Sequence, residues 1–298
     1  MFLQNYEFFV DSPLNVEKFA YFCEAGEETG LPCGLFMKIT AAQRKLFASL
    51  SSARSRREEG LFLAEGARCL RELSPVFNLR FLVVTSQWLD GHADELEVIA
   101  NGELTEERLI VAKNDELARI SSMTTPQGVI GVFELPETIG DIPGISADDL
   151  VLALDRVQDP GNLGTIIRAA DWFGVKTVIA SRETVDVFNP KVLQSTMGAL
   201  ARVKVCYCDL PQTLSALSRK GVGIHGTFLD GDSIYRSTLR SGVIVMGNEG
   251  NGISPEVEAV VNRRLTIPSF PPGRDTVESL NVGTAAAVVL SQLRCHSE

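Results

Sequence analysis

Three glycine-rich turns carry the polar residues best suited to chemistry in this chain of 298 residues. In the first, LDRVQDPGNLGTIIRAADWFG (154–174), Pro160-Gly161 makes a tight turn. Asn162 stands where an N-cap would bond the orphan amides of a following helix. Leu163, Ile166, Ile167, Ala170 and Phe173 recur at helical spacing and form a buried stripe. Arg168 stands off that stripe, one turn beyond Gly164. A planar guanidinium there suits a phosphate or a ribose oxygen, the alternative being a surface ion pair with Asp171 or Asp155. In the second, VIVMGNEGNGISPEV (243–257), Gly247, Gly250 and Gly252 permit positive φ and close approach to a ligand, or simply make a loop. Ser254-Pro255 then opens a helix in cap-then-proline order. No Gly-Lys-Ser/Thr follows, so this is not a Walker loop, and it is not the G-x-G-x-x-G dinucleotide fingerprint either. In the third, RLTIPSFPPGRDTVESLNVGTAAAVVLSQL (264–293), a strand ends at Pro268 and an irregular loop follows. A helix of small residues, able to pack closely on other backbone, begins near Asn281.

What lies outside these turns narrows the chemistry. The three histidines, His92, His225 and His296, fall in none of them, which argues against histidine catalysis. Six cysteines are scattered without a C-x-x-C pair, against a zinc site or a redox motif and in keeping with reduced thiols in a cytoplasm. No stretch reaches the ~18 apolar residues of a membrane helix. A formal net charge of −10 speaks against broad, non-specific binding of polyanions. Arg44, Lys45, Arg54, Arg56 and Arg57 nevertheless cluster, either as an RNA contact or as a solvated helix face.

The elements that must position the turns follow from hydrophobic periodicity. Residues 1–36 are aromatic-rich and loosely patterned, and Met37 opens a stretch that reads like a natural protein start, so 1–36 are expected to be a leader or extension. Residues 37–135 read as a smaller α/β domain, with strands at 61–66, 80–86 and 128–135 and helices at 41–52 and 67–73. Residues 136–149, with two prolines and little periodicity, read as a linker. From 150 to 298 short apolar strands alternate with helices near 162–173, 190–201, 211–220, 254–262 and 281–293. Such alternation predicts a mainly parallel sheet covered on both faces, with sites at the carboxyl ends of its strands. All three turns fall at such ends.

Taken in order, the turns resemble the SpoU branch of the SPOUT RNA methyltransferases. The family's N-x-G-x-x-x-R pattern is met by Asn162, Gly164 and Arg168, and its G-x-E-x-x-G pattern by Gly247, Glu249 and Gly252. Its I-P and S-L-N elements are met by Ile267-Pro268 and Ser279-Leu280-Asn281. AEG (64–66) and TPQG (125–128) resemble the RNA substrate-binding domain that precedes the catalytic domain in many members. The resemblance implies a C-terminal trefoil-knotted α/β domain, a homodimer with active sites near the subunit interface, and S-adenosylmethionine as cofactor. It further implies a 2′-hydroxyl of RNA as methyl acceptor, in ribosomal RNA ahead of transfer RNA, with no metal and no membrane. On the same basis Gly247, Ile267, Leu280, Thr227, Asn248 and Ser279 hold the cofactor, with Phe228 a weaker candidate. Arg168, Asn162, Glu249 and Asn281 are the catalytic set. A guanidinium is a poor general base. Arg168 is therefore expected to pin phosphate and ribose while Asn162 and Asn281 orient them, and Glu249 to fix the loop or pair with Arg168. The loop 270–278 is longer than the family's usual version, and its Arg274 is either an RNA contact or exposed. Gly283 stands where a serine is more typical.

Overall fold

The computed structural model describes residues 37–101, 104–136, 142–271 and 277–295; the expectations for residues 1–36, Arg274 and His296 lie outside them. Two compact units divide between Pro136 and Glu137.

The first unit holds strands β1 (Met37–Lys38), β2 (Leu61–Glu65), β3 (Leu79–Val84), β4 (Leu109–Val111) and β5 (Val129–Glu134) in the sheet order β1-β4-β3-β5-β2. Its helices are α1 (Ala41–Ser49), α2 (Ala53–Glu59), α3 (Ala67–Leu73), α4 (Ser86–Gly91), α5 (Ala93–Ala100) and α6 (Asn114–Ala118). The predicted strands at 61–66, 80–86 and 128–135 are present, whereas the helix predicted over 41–52 ends at Ser49 and a second helix, α2, begins at Ala53. Ser51 and Ser52 break it, and Arg56 of α2 turns inward, 1% exposed, to donate to the carbonyls of Leu50 and Ser51 at 2.9 and 3.0 Å. Arg56 is therefore withdrawn from the exposed face of the basic cluster. Arg44 pairs with Glu116 and Arg54 with Glu58, which leaves Lys45 and Arg57 exposed. Arg56→Ala should cost this unit about 3 kcal/mol, because two carbonyls lose their donor and a cavity replaces a packed stem. Thermal unfolding followed by circular dichroism should show a melting point lower by roughly 10 °C or more.

The second unit carries β6 (Leu150–Leu154), β7 (Thr177–Ser181), β8 (Lys204–Cys208), β9 (Ile224–Ser233), β10 (Gly242–Met246) and β11 (Arg263–Thr266). Their order is β11-β9-β10-β6-β7-β8, and each described pairing in this sheet is parallel. Helices α7 (Pro160–Trp172), α8 (Pro190–Thr196), α9 (Leu210–Arg219), α10 (Pro255–Glu258) and α11 (Val282–Arg294) alternate with the strands. The central strands β6, β7 and β10 are mostly Val, Ile, Leu and Ala and almost wholly buried, as a covered parallel sheet requires, whereas β8, β9 and β11 are partly exposed. Within the stretch read as a linker, Ile142 and Ile145 pack against this unit's core.

The chain lays down β6, β7 and β8 in one direction and then returns to place β9 and β10 on the other side of β6. The carboxyl ends of β6 and β10 thus flank a topological switch point, the usual place for a ligand in an open α/β sheet. Beyond it, β11 lies outside β9, and the pairing of β9 with β11 jumps between Arg264↔Gly226 and Leu265↔Asp232. The final helix α11 packs on α7, where a Cβ at Gly283 would stand 3.1 Å from Thr165 Cγ2. The close packing expected of a small-residue helix is realised there. His225 is buried near the amino end of β9, away from the switch point, and burial holds its imidazole below the usual histidine range.

Candidate active site

Two loops meet at the switch point. The loop after β6 ends in α7, whose N-cap is Asp159 rather than the expected Asn162. Asp159 Oδ1 accepts from Asn162 N at 2.8 Å, and Pro160 occupies the first helical position, where its missing N–H costs nothing. The Asn162 side chain is thereby freed from capping.

The loop after β10 folds on itself through Asn248. Its backbone exchanges hydrogen bonds with Gly252, and its Oδ1 accepts from Gly250 N and Asn251 N at 2.9 and 3.1 Å. Its Nδ2 donates to the Arg156 carbonyl at 2.8 Å, latching this loop to the one after β6. A second latch runs from Ser254 N to the buried Asp155 carboxylate at 2.6 Å. Of the three glycines in this loop, only Gly252 adopts positive φ, at 64°. Gly247 is needed for room instead, because a Cβ there would lie 2.4 Å from the Gly252 backbone. Gly247→Ala should force the loop open and lower the melting temperature by roughly 5 °C. Gly250→Ala, whose new Cβ meets only Asn248 Oδ1 at 3.6 Å, should leave it nearly unchanged in the same thermal scan.

Three of the four predicted catalytic residues come together. Glu249 Oε1 accepts from Asn162 Nδ2 at 2.8 Å, Asn281 Nδ2 at 2.6 Å and Val282 N at 3.3 Å. Asn281 Nδ2 also donates to Asn162 Oδ1 at 2.8 Å, and Asn281 Oδ1 caps α11 by accepting from Thr284 N at 3.1 Å. Residues far apart in sequence are thus pinned into one cluster by charge-assisted bonds. The Asn281 amide is fully used. One N–H of Asn162 and the whole of Glu249 Oε2 have no partner among the described residues, and Glu249 is exposed. A carboxylate oxygen and an amide N–H side by side can hold a hydroxyl, one accepting its proton and the other donating to its oxygen.

Arg168 is not part of this cluster, and the expected pairing with Glu249 is absent. It is exposed, and no ion pair or hydrogen bond engages it among the described residues. The alternative partners are occupied: Asp171 by Arg202 at 2.9 Å, and Asp155 by Ser254 and Arg156. Arg168 lies six residues beyond Asn162 along α7, about 9 Å along the axis and on a different face. Thr165 and Trp172 share its exposed face, and Trp172 is 86% exposed.

The residues expected at the cofactor surround the ends of β9, β10 and β11. Thr227 lies inside β9, half-buried, its Oγ1 donating to the Val245 carbonyl at 2.9 Å. Phe228 is covered by the Arg264 guanidinium at 3.6 Å from the ring centroid. Every polar group of Asn248 is committed to the loop latches, so it positions the loop. Ile267 is half-buried just past β11, and Ser279 is exposed. Leu280 is 47% exposed, and its backbone N–H and C=O make no hydrogen bond among the described residues. It sits beside Asn281 and so beside Glu249. An apolar surface edged by free backbone groups suits a flat heterocycle. No group of metal-ligating side chains is found among the described residues. Sequence reasoning missed the Asp155 and Asn248 latches and the left-handed Arg156 (φ 58°). The Asp that ends β6 was a legible signal, whereas an arginine carries no preference for positive φ.

The family model described as SpoU rRNA Methylase family matches residues 149–291, and the MRM3-like substrate binding domain matches residues 42–131. The 23S rRNA (guanosine(2553)-2'-O)-methyltransferase RlmP of Bacillus subtilis is 30% identical over 254 residues, spanning 84% of this chain and 95% of the relative. The chain belongs to the SpoU rRNA methylase family. The 23S rRNA (guanosine-2'-O-)-methyltransferase RlmB of Neisseria meningitidis is 35% identical over 206 residues, spanning 67% of this chain and 80% of that relative. Among solved SpoU-like structures, a TrmH-family protein from Porphyromonas gingivalis is 38% identical with a TM-score of 0.72, covering 86% of this chain and 98% of its own. An AdoMet-bound rRNA methyltransferase from Sinorhizobium meliloti is 27% identical with a TM-score of 0.74, covering 88% and 99%.

Proposed function

We propose that this SpoU-family protein transfers a methyl group from S-adenosylmethionine to a ribose 2′-hydroxyl of ribosomal RNA in the cytoplasm. The observation that carries the reading is the Asn162–Glu249–Asn281 cluster, built from the three family motifs and ending in one free carboxylate oxygen. The curated names of both relatives, each a 23S rRNA 2'-O-methyltransferase, support the substrate class ahead of transfer RNA. The first unit, over residues 37–135, serves as the RNA substrate-binding domain, a reading supported by its family match.

The cofactor lies against Gly247, Ile267, Leu280, Ser279 and Thr227, where Leu280 offers apolar surface and free backbone groups. When bound, it supplies a methyl group on a positively charged sulfur, a leaving group already activated. The chain's own task is alignment and deprotonation. Glu249 Oε2 accepts the 2′-hydroxyl proton as the oxygen gains the methyl group, while the spare N–H of Asn162 orients that oxygen. Asn281 and Val282 N hold Glu249 in place. Arg168 pins the phosphate next to the reacting ribose.

Because Arg168 does not reach the cluster within one chain, we place it in the site of a second copy. The reading is supported by the exposed face of Thr165, Arg168 and Trp172, which a homodimer would cover. A trefoil knot in the second unit is part of the same reading, supported by β11 lying outside β9 while α11 returns to α7. Calorimetric titration with S-adenosylmethionine, followed by transfer of a labelled methyl group to ribosomal RNA lacking its 2′-O-methyl groups, tests the proposal. One site per chain and a new 2′-O-methyl nucleotide are expected. Absence of binding and of transfer would leave a non-catalytic RNA-binding protein that keeps the fold.

A further inference from the structure

A cavity of about 560 Å³ opens at the carboxyl ends of β6, β7 and β8, on the side of the latched loops facing away from β9 and β11. That volume suits a nucleotide-sized ligand. None of the four catalytic candidates lines it, and none of the cofactor candidates does. Two guanidiniums stand over it. Arg156 follows β6 in the left-handed conformation at φ 58°, held there by its N–H to Ser181 Oγ at 3.0 Å and by Asn248 on its carbonyl. A long side chain is strained in that region, so the fold is aiming it. Its Nε is buried without a hydrogen bond, facing Asp155 Oδ1 at 3.5 Å. Arg182, just after β7, is exposed and has no partner among the described residues.

Four carboxylates share the lining with the guanidiniums. Asp155 is occupied by Ser254, and Asp209 caps α9 through Gln212 N at 3.0 Å. Glu183 and Glu256 are exposed and have no partner among the described residues. This balance decides the ligand. Four carboxylates around two guanidiniums disfavour a phosphate dianion seated among them, though not one left in solvent at the cavity mouth, and the guanidiniums repel a metal ion. A neutral group with acceptors on one edge and donors on another satisfies both sets. Guanine is such a group: its O6 and N7 accept from an arginine fork, and its N1–H and amino group donate to a carboxylate. Adenine lacks the N1–H and the carbonyl, and its amino group would face a guanidinium.

We infer that this cavity receives a guanine base of the substrate RNA, at or next to the methylated ribose, read by Arg182 and Arg156 on one edge and Glu256 or Glu183 on the other. The inference rests on the proposed function. Its location follows from adjacent segments, since Glu249 of the catalytic cluster stands on the loop after β10 and Glu256 of the cavity on α10, the helix which that loop enters.

The test titrates the isotope-labelled full chain with GMP, AMP, CMP and UMP and follows backbone amide signals by NMR. GMP is expected to shift the signals of residues 181–183 and 254–257, with a dissociation constant at least ~10-fold below that of AMP. Arg182→Ala and Glu256→Gln should each weaken GMP by roughly 5-fold or more, with S-adenosylmethionine binding unchanged in both. Equal binding of GMP and AMP, or no saturable shift with GMP, overturns the inference. So does the same set of shifts with inorganic phosphate, which would mark a plain anion site. If wild-type protein shows selective GMP binding but no methyl transfer to ribosomal RNA, the proposed function fails and the guanine site stands.

Discussion

Glu249→Gln should lower the turnover number by about 10²–10⁴-fold while leaving the fold intact. The change is nearly isosteric. The glutamine Oε1 can still accept from Asn162, Asn281 and Val282, so the three segments remain joined. What is lost is the free Oε2, replaced by an amide that donates where the proposed reaction needs an acceptor. Single-turnover methyl transfer at saturating cofactor, set beside a calorimetric titration and a thermal scan, separates the possibilities. A large fall in rate with unchanged cofactor affinity and melting temperature assigns the proton-accepting role to Glu249. Wild-type turnover would remove it from the chemistry and leave it a strut. Because the cluster is exposed, loss of its charge should move the melting temperature by only a degree or two.

Arg168→Ala should reduce kcat/KM by about 10²–10³-fold, again without loss of cofactor binding, because the interaction proposed for it is with RNA. Arg168→Lys should recover little, since a point charge cannot reproduce a planar fork. The decisive measurement mixes two inactive proteins. If Arg168 of one subunit serves the cluster of the other, equal amounts of Arg168→Ala and Glu249→Gln chains exchange into heterodimers that each retain one intact site. Activity should then return to about a quarter of wild type, as two-fold symmetry dictates. A mixture as inactive as its components would place Arg168 and Glu249 in the same subunit's site, or outside the chemistry altogether.

Much of the second unit was legible because a doubly covered parallel sheet writes itself as short apolar runs separated by helices. The predicted helix starts lie within two residues of the observed ones, the largest offset being at α7. Asp159, two residues before the Pro-Gly turn's end, outcompetes Asn162 as a cap, since proline fixes the first helical position just after it. The first unit was read less well. β1 and β4 are two and three residues long, too short for a period to emerge, and α4, which ends at Gly91, meets α5 at His92 with no loop between them. At the site, spacing placed Asn162, Glu249 and Asn281 at strand ends, but could not say that one oxygen of Glu249 would bind all three donors. Nor could it show that Arg168 points away from them, because a helix position six residues on is fixed by geometry that only matters once its neighbours are known. Arg56 misled for a similar reason: a charge run says nothing about which member turns inward to meet two orphan carbonyls.

The hydrogen bonds that join Glu249 to Asn162 and Asn281 span 87 and 32 residues, and the one between the two asparagines spans 119. As a chain emerges from the ribosome, the sheet can therefore begin to assemble long before the carboxylate has its full set of donors. Until Asn281 is synthesised and α11 has docked on α7, Glu249 lacks two of its three donors, although its loop can already be latched to Arg156 and Asp155. On the role proposed for Glu249, the carboxylate therefore gains its complete set of donors only when the last helix of the chain docks.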